Sequence, residues 1–172
     1  MAVRSRHEDG LHTTRLTGTE LTVLGHFARG RTRKSIARAT AVTETTVSTH
    51  LTRIGGKLLA SGLTAVLHAA YTGGHLPPPT PLPGVFTEAE RRVWRACVAA
   101  STDTAMARAL RLPPHEAKRQ VDNLMKKVKA LSRGHFVTLG HAYGVLTGST
   151  VNARPQKAST SMPTRPASAS AP

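Results

Sequence analysis

Apolar residues recur at helical spacing in two stretches of the chain, and one stretch can be laid over the other. In the first, Leu21, Leu24, Phe27 and Ala28 mark one buried stripe. Val47, Leu51, Ile54 and Leu58 fall at i, i+4, i+7 and i+11 on a later helix, and Val66, Leu67, Ala69 and Ala70 mark a third. A shift of 70 residues aligns Leu16–Leu76 with Phe86–Leu146 without a gap. Thr17/Thr87, Glu20/Glu90, Val23/Val93, Thr32/Thr102, Ala37/Ala107, Lys57/Lys127 and Gly74/Gly144 are among the identities. Conservative apolar pairs such as Leu24/Trp94, Ile36/Met106, Leu51/Val121, Ile54/Leu124 and Val66/Phe136 fall between them. Unrelated sequence would not keep this spacing in register, so the pattern reads as an internal duplication. Strand-like alternation is confined to short runs, and the chain is expected to be all-α.

Each copy predicts four helices. The first helix opens on Thr17-Gly-Thr-Glu20 in one copy and Thr87-Glu-Ala-Glu90 in the other. Both are capping boxes, in which Thr accepts from the third helical amide and Glu returns to the cap amide. A short second helix runs from about Arg33 to Thr40, with Ile36 and the small Ala37 facing inward for close helix crossing. A turn through Ala41-Val42 leads to Thr43 as the next N-cap. The third helix carries Thr45, Ser48, Thr49, Thr52 and Arg53 on the face opposite its apolar stripe. A fourth runs from about Gly62 to Gly73.

Between the copies, Pro77-Pro-Pro-Thr-Pro-Leu-Pro-Gly84 predicts a stiff polyproline-like spacer. The division is then a flexible N-terminus at 1–13, module one at 14–76, a Pro-rich linker at 77–85, a divergent module two at 86–146 and a disordered tail at 147–172. That tail is rich in Ser, Thr, Ala and Pro, with too little apolar surface to fold. Fully stretched, the linker would span roughly 30 Å, near the ~34 Å between half-sites one DNA turn apart.

Charge narrows the partner. Lys and Arg number 24 against 9 Asp and Glu, a formal +15, and each copy carries +6 of it. Such a chain expects a polyanion. The sequence has neither a run of roughly 18 apolar residues nor an N-terminal signal pattern, so no membrane partner is expected. Aromatics at 3% are too few for stacking single-stranded bases, which favours double-stranded DNA over RNA. The single cysteine, Cys97, excludes an internal disulfide and a cysteine-based metal site. It reads as a small core residue, as Trp94 reads as core rather than a stacking platform. His135 and His141 stand six apart without a carboxylate cluster, so the nine histidines read as scattered on the surface and no metal is expected. No nucleophile–base pair, carboxylate pair or cofactor loop can be assembled, so neither catalysis nor a cofactor is expected. The expected location is the cytoplasm, with the nucleoid.

The first copy resembles the LuxR-type (GerE-like) helix-turn-helix domain. It carries Leu16-Thr-x-x-Glu20-x-x-Val23-Leu24, then Ala28-x-Gly30-x-Thr32-x-Lys34-x-Ile36-Ala37. Thr46-Val47-x-x-His50-Leu51-x-x-Ile54-x-x-Lys57-Leu58 and Ala70-x-x-x-Gly74 follow. The second copy is a degenerate match through Thr87, Glu90, Ala107, Val121, Leu124, Lys127, Arg133 and Gly144. The resemblance implies a transcriptional regulator that sets helix three of one or both modules in the major groove, and that often dimerises through helix four. It implies phosphate contacts from Lys34, Thr46 and His50. It places Ser48, Thr49 and Thr52 toward base edges, with Thr45, Arg53 and Lys57 on the same helix. The family commonly has Lys where Ser48 stands.

In the second copy Pro113-Pro114 replaces the polar cap, and Pro is tolerated in a first turn. Glu116 takes the place of Thr46, while Lys118 restores the basic position. Arg119, Lys126 and Asp122 complete the candidate DNA-binding set, Asp122 either accepting from a cytosine amine or repelling the backbone. Three roles stay open for this copy: base reading, a nonspecific phosphate grip or pairing surface, and a solvated structural module. A signal-input domain is not expected within this length. The competing reading is an architectural or RNA-polymerase-interacting factor with little sequence preference.

Overall fold

Most helices begin where a hydroxyl can take an amide that the helix itself leaves unpaired. The computed structural model describes residues 15–100 and 102–147, and these are helix and loop with no strand among them. The elements are α1 (Gly18–Ala28), α2 (Arg33–Thr40), α3 (Glu44–Lys57) and α4 (Leu63–Thr72), then α5 (Glu88–Ala99), α6 (Asp103–Leu110), α7 (Pro114–Lys127) and α8 (Arg133–Ala142). Thr17, Thr32 and Thr43 cap α1, α2 and α3; Thr87, Thr102 and Ser132 cap α5, α6 and α8. Both capping boxes form. Pro113, with no side-chain acceptor, stands before α7, and Pro114 occupies its first turn. The expectations for residues 1–13 and 148–172 lie outside the described residues.

The first four helices and the last four start 70 residues apart, each to each. Left-handed residues follow the same shift: Ala41 and Arg111 after the second helices, Leu59 and Lys129 after the third, Gly74 and Gly144 after the fourth. Within each set the second and third helices form a corner against the first. Val23, Leu24, Ile36, Val47 and Ile54 close one centre, and Trp94, Met106, Ala117, Val121 and Phe136 the other. Leu51 and Leu58, expected inside, are half-buried at the margin.

The two centres run together into a single hydrophobic core. Helix α4 lies along α8; α8 also rests on α1, and α5 rests on α4. The spacer therefore does not hold two separated modules apart at full stretch. Its far end is tied to the second set by the Leu82 amide, which donates to the Ala142 carbonyl at 2.9 Å. Gly84 sits so close to Phe86 and Tyr143 that a Cβ there would come within 2.8 and 2.9 Å of their rings. Helix α4 is likewise covered: Leu67 and Ala70 are fully buried, so a homodimer built on that face would first have to displace α8.

The seam also corrects the expectation of scattered surface histidines. His68 Nδ1 and His141 Nε2 are hydrogen-bonded at 3.0 Å, and Tyr71 packs on the His141 ring with centroids 4.7 Å apart. His26 from α1 and His135 from α8 are half-buried nearby, with Arg29 exposed beside them. Burial, and then the charge of His68, push His141 down to about 4; burial lowers His68 and His135 too. Burial and then Arg31 and Arg29 lower His26. A histidine held neutral in the fold but free to charge when unfolded stabilises the protein above its ordinary value near 6.5. That contribution is lost as pH falls from there toward 4. The melting temperature is expected to drop between pH 7 and pH 4.5, and His141→Gln should flatten the slope. Equal slopes for the two proteins in calorimetry would refute this role for the pair.

Candidate nucleic-acid interface

Helix α3 has one face committed to the core and one left to solvent. Val47 and Ile54 are fully buried, while Thr45, Thr49, Thr52 and Arg53 are exposed and Ser48 and His50 are half-exposed. The outer hydroxyls already donate inward. Ser48 Oγ reaches the Glu44 carbonyl at 3.1 Å, Thr49 Oγ1 the Thr45 carbonyl at 3.0 Å, and Thr52 Oγ1 the Ser48 carbonyl at 3.2 Å. With those hydrogens spent, the face offers oxygen lone pairs and threonine methyls. Such groups suit base edges that donate, and the thymine methyl. Thr46 is half-buried and its hydroxyl is engaged with the capping Thr43 at 2.9 Å. Lys34 is exposed in the first turn of α2. Arg29, Arg31, Arg33 and Arg38 are exposed on the same half of the chain.

Helix α7 offers different chemistry at the equivalent positions. Lys118, Asp122 and Lys126 are exposed. Arg119 is exposed but bridges Glu116 at 2.7 Å, one turn back, which removes Glu116 as an uncompensated negative charge. An exposed pair of this kind contributes little stability and can open when a phosphate approaches. The α7 face thus carries two lysines and an aspartate where the α3 face carries hydroxyls, methyls and Arg53.

Lys57 does something else. Its ammonium meets the Glu20 carboxylate at 2.7 Å, and Glu20 is only 3% exposed. The same carboxylate accepts from the Thr17 amide at 2.7 Å. Burial alone would raise the Glu20 carboxyl, but Lys57 and the Thr17 amide and hydroxyl outweigh it and hold it below its ordinary value. Lys127 and Glu90 repeat the arrangement at 2.6 Å, with the lysine 5.0 Å over the Phe86 ring. The end of each third helix is so fastened to the start of each first helix. Lys57, expected among the DNA-contacting groups, is instead engaged with Glu20, a partner 37 positions away that could not be read from local spacing. Lys57→Ala is expected to destabilise by about 1–3 kcal/mol, because it strands a buried carboxylate. Denaturant midpoints will check this; a loss below about 0.5 kcal/mol, the level of an ordinary surface change, would refute the clamp.

Among the described residues, no three His, Cys, Asp or Glu side chains gather as a metal site, and no helix is long and apolar enough to cross a membrane. Residues 14–70 match the family described as bacterial regulatory proteins, luxR family. Domains of that family bind double-stranded DNA and regulate transcription. The match spans α1 to α3 and most of α4, and so contains the whole α3 face. Neither a curated protein nor a solved structure matches the chain at a significant level.

Proposed function

We propose that the chain is a DNA-binding transcription regulator in which α3, and with it α7, enters the major groove. The observation that carries this reading is the division of α3 inside the matched segment. Its apolar side is sealed in the core, while Thr45, Ser48, Thr49, Thr52 and Arg53 form a continuous outer face of groove-reading chemistry. On this reading Lys34, His50 and the exposed arginines around α2 supply backbone contacts. On this reading α5–α8 is a second, divergent copy of the same domain, with Lys118, Arg119, Asp122 and Lys126 on its reading helix. Selection from random duplexes followed by gel shift tests it. Enrichment of a defined motif, with affinity well above that for bulk DNA, is the expected result; no enrichment would sink it.

One observation favours a second reading. The α3 face has Arg53 as its one cation and has its hydroxyl hydrogens already engaged, so its base discrimination is modest in strength. An architectural factor, gripping phosphates through its +15 charge and contacting RNA polymerase elsewhere, would use the same fold. It would show a specificity ratio near one with a steep salt dependence.

A further inference from the structure

We infer that the chain carries its dimer within itself: α4 and α8 form an isologous seam, so that one chain offers one duplex two unlike reading helices in inverted orientation. The inference rests on the DNA-binding reading above for its second half and on contacts alone for its first. A two-fold interface has a reciprocal signature: if residue i of one copy touches residue j of the other, then j of the first touches i of the second. The seam meets that test. His68 bonds His141 at 3.0 Å, and Tyr71 bonds Thr138 at 3.1 Å. The shift of 70 residues converts His68 to Thr138 and His141 to Tyr71, so it exchanges the two bonded pairs. Helix contacts behave alike: α8 against α1 is matched by α5 against α4, and α4 against α8 maps onto itself.

The seam is also closely packed. Thr138 Oγ1 donates to the Ala28 carbonyl at 3.0 Å. A Cβ at Gly134 would lie 2.7 Å from the Phe27 carbonyl oxygen and 3.1 Å from Leu67. At Gly30, whose φ is +83°, it would lie 2.9 Å from Leu131. Both glycines admit a neighbour from the other half that no larger residue would.

Two consequences follow. The apolar face of α4 is spent inside the chain, so the DNA-binding unit is one polypeptide. A two-fold relation also presents α3 and α7 to a common duplex as inverted elements, as a palindromic site mirrors a symmetric dimer. Here the elements differ, one bearing methyls, hydroxyls and Arg53, the other two lysines and an aspartate. The site is therefore two inverted but dissimilar half-sites.

The seam and the DNA geometry can be tested apart. A protease site replacing Thr80 in the spacer allows the folded chain to be nicked. The two fragments are expected to stay together in gel filtration at micromolar concentration, and Gly134→Phe in the nicked protein should release them. Separation of the fragments without that substitution would overturn the seam. On a selected duplex, mass photometry is expected to find one chain per site, and turning one half-site from inverted to direct repeat should weaken binding at least tenfold. Two chains per site, or indifference to the turn, would overturn the single-chain dimer while leaving DNA binding intact. If no duplex is bound although nicked fragments remain joined, the DNA-binding reading falls and the seam stands.

Discussion

Replacing Trp94 with alanine is expected to remove about 3–5 kcal/mol of stability, the range for emptying a large aromatic site. The indole is fully buried. It stacks on Phe136 at 4.8 Å with planes 13° apart, and meets Phe86 edge-on at 4.9 Å. Its N–H donates to the Phe136 carbonyl at 3.0 Å, which fixes the ring across α5 and α8. Against a total of roughly 5–15 kcal/mol for a domain of this size, such a loss leaves a marginal fold. Gly140 packs directly on the indole, where a Cβ would stand 2.8 Å from its nitrogen. Trp94→Phe should lose less than half as much. The chain has one tryptophan, so the tryptophan fluorescence disappears with it, and urea unfolding is followed by far-ultraviolet circular dichroism. Because the core is continuous across the seam, both halves should melt in one transition in the wild type. A loss under 1 kcal/mol for the alanine variant would show that the cluster is not the keystone of the second half.

The local rules of the chain were legible before any coordinates. Thr17 with Glu20, Thr87 with Glu90, and Thr43 before α3 announce helix starts through side-chain chemistry that acts over three residues. The bounds of α2 agree with the expected Arg33 to Thr40, and α4 runs Leu63–Thr72, just inside the expected Gly62 to Gly73. The outer face of α3 was legible because period and polarity coincide there. Distances longer than a helix turn were not. Lys57 looked like a surface cation on a DNA-facing helix, since nothing in its neighbourhood betrays a carboxylate 37 residues earlier. Arg119 was read as a DNA contact although Glu116 stands three residues earlier, the spacing of an ordinary helix ion pair.

The seam escaped sequence reading for a related reason. Val66, Leu67 and Ala70 read as an apolar stripe whichever surface they bury against, so the pattern cannot tell a module's own core from a partner copy. The histidines illustrate this further. His68 lies on α4 and His141 on α8, 73 residues apart and at non-equivalent places under the 70-residue shift, so no local spacing betrays their pairing. The proline-rich spacer, read alone, suggested separation; its length permits contact just as well, and the buried faces of α4 and α8 decide the matter.

Removing the two lysines of α7, Lys118→Ala with Lys126→Ala, is expected to weaken duplex binding tenfold to a hundredfold, about 1–3 kcal/mol. The slope of log K against log salt should shrink by about two, since each phosphate contact contributes roughly 0.9. Both side chains are exposed and have no hydrogen-bond or ion-pair partner among the described residues, so the fold should be unchanged, in contrast to Lys57 and Lys127, which are fastened to Glu20 and Glu90. Ser48→Ala on α3 provides the contrast. Its hydroxyl hydrogen already serves the Glu44 carbonyl, and its loss removes an acceptor but no charge. It should leave the salt slope alone and change mainly the preference between sites. On the proposed reading the division of labour then becomes measurable: charge from α7 would set how tightly any duplex is held, and the methyl and lone-pair surface of α3 which one is preferred. If the lysine pair can be removed without altering either affinity or salt slope, α7 does not touch the phosphate backbone, and the positive charge of the second half serves another surface.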